Sequence, residues 1–446
     1  MASDLLTIAA SGARAARGAL DVTAQNIANA SSDGYVRRSV RMEEVSASGG
    51  NLRTGDLSLS GARVAGIDRN VDLFRQAEVR RTNSDLTRAA TELRGLQNIE
   101  SAVEQAGVYS AIVEFEASLQ QLASDPSDPS QRAAVLASAD TMARKFNIAA
   151  ESLDAVGEGA RFDASAAVED ANIVSGELAR VNLRLSRAGE GSSDRASLLD
   201  QRDALLERLS GTVNISTSFA PDGTVTVKAG GSNGPALVTG GTSAALSMAT
   251  APDGTVSFAV DGAAIVPSGG SLSGSALALN QIAQTRSRLD TLAAAIAETV
   301  NTAQANGTDA DGNPGQPLFA GAGAGGLRLV ATSGAALATA PAGAPAGSID
   351  SSNLAALRQA LDAGGAAKSM SALLFDISSQ VAGRGVTYEA LDSIAASARI
   401  SLEQQSGVDL DTEAANLMRF QQAFQASGRA MQAASDIFNT LIGIGR

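Results

Sequence analysis

The stretch ALDVTAQNIANASSDGYVRR, residues 19–38, ends an Ala-rich segment and leads into a turn at Gly34-Tyr35. Upstream of that turn, small and apolar residues recur with a seven-residue period. One series is Leu6, Ala13, Leu20 and Ile27, and the second is Ala9, Ala16, Thr23 and Ala30. Two such series, three residues apart, predict an amphipathic helix with a narrow seam. Because the seam residues are small, a partner helix can approach closely.

The last 41 residues carry a second stripe of the same kind. Its first series is Leu410, Leu417, Phe424, Met431 and Phe438, and its second is Phe420, Ala434 and Leu441, with Glu413 and Ser427 interrupting. A lone helix of this length is marginal in water, since most helix stability in proteins comes from packing of the apolar face. We therefore expect each end to need a partner, which is the other terminus, a neighbouring subunit, or both.

Helical patterns fill most of the chain between the two ends. They cover residues 86–103, 109–122, 130–156, 162–185, 192–211 and 275–307. Ser130, after the double break SDPSDPS, is a candidate N-cap, and an interruption is expected between residues 156 and 162.

Composition changes after Gly211, where the hexapeptide APDGTV occurs twice between short β-prone runs, at residues 220–225 and 251–256. Asp-Gly between alternating runs predicts hairpins, and therefore a small antiparallel β domain. We expect a mainly α fold with nested domains: a terminal coiled coil (1–35 and 406–446), a helical body (36–211 and 271–405) and an outer β domain (212–270). Within the body, residues 308–348 are rich in Gly, Ala and Pro, which indicates a loop with some strand near residues 327–330.

Composition excludes several classes of function. A net charge of −13 argues against nucleic acid, whose phosphates require a basic surface. The chain has no Cys and no His, which excludes disulfides, Cys/His zinc sites and catalysis by Ser-His-Asp or Cys-His groups. No apolar run is long enough to span a membrane. Asp4, Arg14 and Arg17 do not fit a secretory signal, so we expect no use of the general secretory route.

Four local patterns are consistent with chemistry, but each has a simpler structural interpretation. GAGAGG at residues 321–326 matches G-x-G-x-x-G but precedes a strand pattern instead of a helix, which favours a loop. DADGN at residues 309–313 lacks the later Glu of a calcium loop and is interpreted as a turn. The acidic pairs Glu43/Glu44 and Glu114/Glu116 indicate solvated surface. Tyr35 with Arg37, Arg38 and Arg41 indicates a solvated strand or loop edge. We predict no catalytic, cofactor-binding or metal-binding residue, and no enzymatic activity.

Residues 19–35 resemble the N-terminal motif of bacterial flagellar axial proteins, in which Gln-Asn-Ile-Ala-Asn precedes a Gly-Tyr or Gly-Phe turn. Ser32 stands where that family usually has Thr, and Asp33 where hook-associated members often have Pro. At the other end, Glu413-Ala-Ala-Asn-Leu417 and Phe420-Gln-Gln-Ala-Phe424 resemble the flagellar hook-associated protein 1 (FlgK) family. LLDQRDALLERLS, residues 198–210, and NGTDADGNPG, residues 306–315, are similar to internal landmarks of the same family.

The resemblance implies a structural junction between hook and filament, without cofactors. Its implied partners are other copies in a helical ring, the hook protein, the next junction protein or flagellin, and an export chaperone at the C-terminal helix. It also implies export through the flagellar type III apparatus to an extracellular site. The expected interface residues are Leu6, Ala13, Leu20, Gln25, Asn26, Ile27, Asn29, Gly34, Tyr35, Leu410, Leu417, Phe420, Phe424, Met431, Phe438 and Leu441. A hook or rod subunit, or an axial scaffold with a glycan-cleaving domain, remains an alternative.

Overall fold

The computed structural model describes residues 2–32, 34–44 and 61–444, and side chains among them from residue 5 to residue 440. Helices dominate these residues. In chain order they are α1 (Ala2–Ala28), α2 (Leu73–Ala106), α3 (Val108–Leu122), α4 (Pro129–Leu185), α5 (Ser193–Thr212), α6 (Gly270–Ala305), α7 (Gly323–Gly326), α8 (Ser352–Gly364), α9 (Ala366–Ser406) and α10 (Leu410–Ile444).

Short strands form several small sheets. The strands are β1 (Arg38–Glu44), β2 (Ala62–Arg69), β3 (Ile215–Phe219), β4 (Val225–Ala229), β5 (Ala236–Thr239), β6 (Thr242–Ser243), β7 (Leu246–Thr250), β8 (Val256–Val260), β9 (Ala263–Ile265), β10 (Gly307–Thr308), β11 (Phe319–Ala320), β12 (Arg328–Leu329) and β13 (Ala340–Pro341). Within the described residues their order is β1-β2, β3-β4-β5-β6, β7-β8-β9, β10-β13 and β11-β12.

The chain divides into two compact units. Unit 1 contains Met1–Ser84, Asp170–Leu246 and Ser393–Arg446, and unit 2 contains Asp85–Glu169 and Ser247–Asp392. Each unit is thus assembled from segments that are distant in the sequence.

In unit 1, α1 packs against α10 on one side and against the β1-β2 hairpin on another. Small residues permit both approaches. A Cβ added to Gly12 would lie 3.1 Å from Ser427 Oγ of α10, and one added to Gly18 would lie 3.2 Å from Val64 Cγ2 of β2. The buried residues of α1 are Ala9, Ala13, Ala15, Ala16, Ala19, Val22, Thr23 and Asn26. The terminal helices therefore pack together as the two stripes predict.

Unit 2 has a helical core built from α3, α4, α6 and their neighbours. Phe115 of α3 and Phe319 of β11 are both buried and meet edge to face, with ring centroids 6.1 Å apart. Met142, Phe146 and Leu153 bring α4 into the same cluster. In the segment between α6 and α8, β12 lies within residues 327–330, and the short helix α7 precedes it.

Both APDGTV segments form hairpin tips. In the first, Gly223 has φ 84° and the Asp222 carboxylate accepts a hydrogen bond from Thr224 N at 2.9 Å. In the second, Gly254 has φ 81° and the Asp253 carboxylate accepts from Thr255 N at 3.0 Å. A positive φ at the fourth position explains why the motif needs Gly. The hairpins confirm the small antiparallel β region and, with the helices, the predicted mainly α fold class.

Two predictions about α4 are wrong. No interruption separates residues 156 and 162, because α4 is continuous through Gly157 and Gly159. Its buried side chains on both sides of that point, Leu153 and Ala164, pack into the body and override the local glycine signal. Ser130 is also not the cap, since it lies inside the helix, where its N–H donates to the Asp128 carboxylate at 2.7 Å.

Among the described residues, no helix combines the length and apolar character that crossing a membrane requires. The predicted boundaries of the three domains, which include residues 45–60 outside the described part, stay a prediction.

Candidate functional site

The turn after α1 is organised by the buried amide of Asn26. Its Nδ2 donates to Arg38 O at 2.8 Å and to the Glu413 carboxylate at 3.1 Å. Its Oδ1 accepts from Arg38 N at 3.0 Å and from the Tyr35 hydroxyl at 2.9 Å. Asn26 thus fixes the end of α1, the start of β1 and the start of α10 with one side chain. Gly34, with φ 73°, allows the chain to reverse between them.

Glu413 is the point where α10 enters this arrangement. Besides the bond from Asn26, it accepts a charge-assisted bond from Arg37 Nε at 2.7 Å, and its own side chain is almost fully buried. Arg37 N also donates to Ser406 O, at the end of α9, at 2.9 Å. We call Asn26, Tyr35, Arg37, Arg38 and Glu413 the terminal junction, because they join the first and last helices of the chain.

Arg38 extends the terminal junction into α5. Its guanidinium donates to Asp200 at 2.7 Å and to Ser197 at 3.2 Å. Arg69 of β2 bridges Asp200 and Asp203, at 2.7 and 2.8 Å. The motif LLDQRDALLERLS therefore supplies the acidic side chains that hold both strands of the β1-β2 hairpin.

Arg202 completes this α5 network. It pairs with Asp203 at 2.6 Å, donates to Gly223 O at the hairpin tip at 2.6 Å, and lies 4.6 Å from the centroid of the Phe219 ring. Buried ion pairs of this kind cost desolvation energy and are favourable only when their hydrogen bonds are well satisfied. Their effect is to fix one arrangement of the segments.

The two carboxyl groups of this network titrate differently. Burial raises the pKa of Asp203, but attraction to Arg202 and Arg69 outweighs it, so the pKa lies below its usual value. For Asp200, burial dominates over its attraction to Arg69 and Arg38, and the pKa is raised. Burial also raises the pKa of the Tyr35 hydroxyl and lowers that of the Arg202 guanidinium. These shifts describe a structural ion-pair network, which perturbs pKa values as an active site does.

The predicted interface residues lie at the following places. Ala13 and Asn26 are buried; Leu6, Leu20, Asn29, Tyr35, Leu417, Phe420 and Met431 are half-buried; Gln25, Ile27, Gly34, Leu410, Phe424 and Phe438 are exposed. Leu441 lies in α10, but its side chain is outside the described ones. Only Asn26 and Tyr35 of this set meet in the terminal junction, and whether the set forms an interface stays a prediction.

Arg38 corrects the interpretation of residues 35–41 as a solvated edge, because its side chain is buried and its two terminal nitrogens bond to Ser193, Ser197 and Asp200. Sequence reasoning also missed the junction role of Arg37 and Glu413. A signal existed: Glu413 interrupts an apolar stripe at a seam position, and a buried carboxylate requires a partner. The partners were not recognisable, since Arg37 is 376 residues away.

The other candidate motifs have structural roles. DADGN is a turn in which the Asp309 carboxylate accepts from Asp311 N at 2.9 Å and Asn313 N at 2.8 Å. In GAGAGG, Ala324 N donates to Asp290 of α6 at 2.6 Å. Within the described residues no cluster of three or more acidic side chains has the arrangement of a metal site.

Comparison with known proteins gives matches along the whole chain. The family "Flagellar hook-associated protein FlgK helical domain" matches residues 93–319, a little over half of the chain. The family "Flagella basal body rod protein" matches residues 6–35, and "Flagellar basal body rod FlgEFG protein C-terminal" matches residues 402–444.

Individual relatives are named flagellar hook-associated protein 1. Flagellar hook-associated protein 1 of Escherichia coli is 30% identical over 71% of this chain and 60% of its own length. The protein of the same name from Bacillus subtilis is 24% identical over 96% of this chain and 95% of its own length. The chain therefore spans less than two thirds of the Escherichia coli relative.

The solved structure of the flagellar hook junction protein FlgK from Burkholderia pseudomallei is 25% identical, covers 55% of this chain and 46% of its own, and has a TM-score of 0.49. The match over residues 93–319 decides membership, and the chain belongs to the flagellar hook-associated protein FlgK family.

Proposed function

We propose that this protein is a structural junction subunit of the bacterial flagellum, which connects hook to filament and assembles through α1 and α10 into the axial tube. The observation that carries the proposal is the apolar surface left on the paired terminal helices. Leu5, Ile27, Leu410, Met418, Phe424, Ile437 and Phe438 are all exposed although α1 and α10 already pack on each other.

This surface has a physical consequence. Full burial of one large apolar side chain is worth about 1.5–3 kcal/mol, so contacts between neighbouring subunits would gain a large free energy from these positions. Contiguous exposed apolar surface in a folded protein marks an interaction site. A helical ring of copies, in which each terminal pair packs on its neighbours, buries it.

In this arrangement, the predicted interface residues of α1 and α10 fall into two groups. Half-buried Leu6, Leu20, Leu417 and Met431 serve the pairing within one chain, and exposed Ile27, Leu410, Phe424 and Phe438 serve contacts with neighbours. Gln25, Asn29, Gly34 and the terminal junction set the direction in which the chain leaves the tube. The role is structural, without catalysis.

We infer that the hook protein lies on one side of the ring, and the next junction protein or flagellin on the other. We also infer an extracellular location after export by the flagellar type III apparatus. The exposed apolar side chains of α10 suit an export chaperone before assembly. The rod families that match both ends support an axial role in general, and a hook or rod subunit is the second candidate. The helical-domain match favours the junction.

The test is a charge at the centre of the exposed surface. Phe424→Glu is expected to abolish filament formation and swimming in cells of the source organism whose only copy is the variant, because it places a carboxylate in an apolar contact. Leu417→Glu should also abolish both, because it places a charge at a half-buried position where α1 and α10 pair within one chain. Val266→Glu, at an exposed apolar position of unit 2, should retain both.

Purified Phe424→Glu protein should keep the thermal transition of unit 2 unchanged. If that transition falls as far as assembly does, the defect is one of folding and the proposal is wrong. Normal filaments in Phe424→Glu cells would contradict it directly.

A further inference from the structure

One face of α4, within unit 2, is apolar and faces solvent. Phe162 is 75% exposed and Ile148 is 45% exposed, and Ala155, Gly159 and Ala166 on the same face are exposed as well. Steps of seven, four, three and four residues place the five on one stripe of the helix. We call these five residues the α4 stripe. It spans about 27 Å at 1.5 Å per residue.

Within the α4 stripe, no contact among the described residues requires a glycine at position 159. Its φ is not positive, and a Cβ built there meets no atom within 4 Å. Glycine inside a helix costs about 0.5–1 kcal/mol relative to Ala. By contrast, Gly95 is required by its neighbour, since an added Cβ would lie 2.3 Å from Ala278 Cβ. Gly159 therefore leaves an open notch in the exposed face of α4, where an external element can approach the helix backbone closely.

The α4 stripe is bordered by acidic side chains. Residues 148–166 contain Glu151, Asp154, Glu158 and Asp163, all exposed, and one basic residue. That residue, Arg161, is directed to the hairpin tip, where it donates to Gly254 O at 3.4 Å. Helical geometry puts Glu151 and Glu158 on one border of the stripe and Asp163 on the other. The surface is therefore an apolar track between two acidic borders.

We propose that the α4 stripe binds a helix of another protein, which presents an apolar stripe bordered by Arg or Lys. Phe162 and Ile148 supply the apolar contact, and Gly159 is the notch that lets the two axes approach to about 8 Å. Pairing of two copies through the same face brings acidic borders together, and the chain carries a net charge of −13, so self-association is disfavoured. This surface lies outside the terminal helices, and its function is independent of their assembly.

The experiment uses the full purified chain and two synthetic helical peptides as probes. The peptides share one Leu heptad stripe, and their flanking positions are Arg in one and Glu in the other. Fluorescence anisotropy should show that the Arg-flanked peptide binds at least about tenfold more tightly, and that salt removes most of this difference.

Two variants of the α4 stripe and one control complete the design. Phe162→Glu and Gly159→Leu should each weaken binding of the Arg-flanked peptide by about tenfold or more. Gly159→Leu fills open space and keeps the helix, so it tests the site even if Phe162→Glu lowers stability. Phe375→Glu, on α9 and equally exposed, should bind as the unaltered chain does.

Equal binding of both peptides, or unchanged binding by both variants, would overturn the proposal. Self-association is tested with Ala155→Cys, which introduces a single thiol into a chain without cysteine. Efficient disulfide-linked dimers under mild oxidation would identify a second copy as the occupant and would equally overturn it.

Discussion

Asn26 satisfies all the hydrogen-bonding positions of its amide, with two donated and two accepted bonds. Other polar side chains of similar size lack this combination, because a carboxylate only accepts and a hydroxyl has one proton to donate. The residue is fully buried, so a lost bond leaves an unsatisfied group with no water to replace it.

Asn26→Asp is expected to lower the free energy of unfolding by about 2–4 kcal/mol at neutral pH. The substitution removes both donors and places a second carboxylate beside Glu413. Chemical denaturation followed by circular dichroism measures the loss. Asn29→Asp is the matched control, since the Asn29 side chain makes only local bonds, to Gln25 O and from the Ser32 hydroxyl, and a similar loss in that variant would contradict the assignment.

The opposite pKa shifts of Asp200 and Asp203 in α5 predict opposite contributions to stability when the pH is lowered. The folded-state pKa of Asp203 is lowered, so its stabilising contribution is present above about pH 4 and is lost as the pH falls through the folded-state value. The pKa of Asp200 is raised, so protonation of this group on acidification favours the folded state.

Urea denaturation between neutral and acidic pH should therefore separate the two variants. Asp203→Asn should show a smaller loss of stability on acidification than the unaltered protein, although it is less stable at neutral pH. Asp200→Asn should show a larger loss. Parallel pH profiles for the three proteins would show that the two groups do not couple to folding.

At the residue scale, sequence identified the positions and not their partners. Asn26, Tyr35, Glu413 and the LLDQRD segment stood out as family landmarks, yet Arg37 and Arg38 did not. Hydrogen bonds over 387 residues, as between Asn26 and Glu413, leave no local pattern. Burial of a charge depends on those same distant partners, which is why Arg38 was assigned to the surface.

Among the described helices, α4 is the longest, and it stays helical through Gly157 and Gly159. Gly159→Ala should raise the free energy of unfolding of unit 2 by about 0.5–1 kcal/mol, because its position is open and helical. Gly95→Ala in α2 should lower it, because the new Cβ collides with Ala278. Thermal denaturation of both variants tests the pair, and destabilisation by Gly159→Ala would show a contact that the structure does not contain.

Element prediction succeeded where the signal is local. The two APDGTV hairpins depend on a positive φ at Gly and on an Asp carboxylate that accepts a hydrogen bond from the Thr N–H two residues later, all within six residues. The continuity of α4 depends on Leu153 and Ala164 packing against other helices, which no window of the sequence contains.

Over the whole molecule, the two terminal helices differ in protection. α1 is covered by α10 and by the β1-β2 hairpin, whereas most side chains of α10 are exposed. Limited trypsin digestion of the monomer should therefore cleave α10 at Arg419 or Arg429 before α1 at Arg14 or Arg17, although all four side chains are exposed. Mass spectrometry of the early fragments identifies the order, and initial cleavage in α1 would contradict the packing.

The paired ends could be predicted because each stripe repeats with a seven-residue period, over three heptads in α1 and four in α10, and the nested fold class because β-prone runs interrupt the helical patterns. The assignment of the intervening segments to the two compact units could not be predicted. That division depends on contacts such as those of Asp200 with Arg38 and Arg69, which pair a mid-chain helix with the first hairpin.

The terminal junction also determines how late in biosynthesis unit 1 can be completed. Asn26 leaves the ribosome 387 residues before its partner Glu413. At about 5–20 residues per second, it waits roughly 20–80 s before its last hydrogen bond can form. Unit 1 cannot be completed until its final segment emerges, so a nascent chain stays partly open for almost the whole of its translation. Any factor that must act on the unfolded ends has that interval in which to reach them.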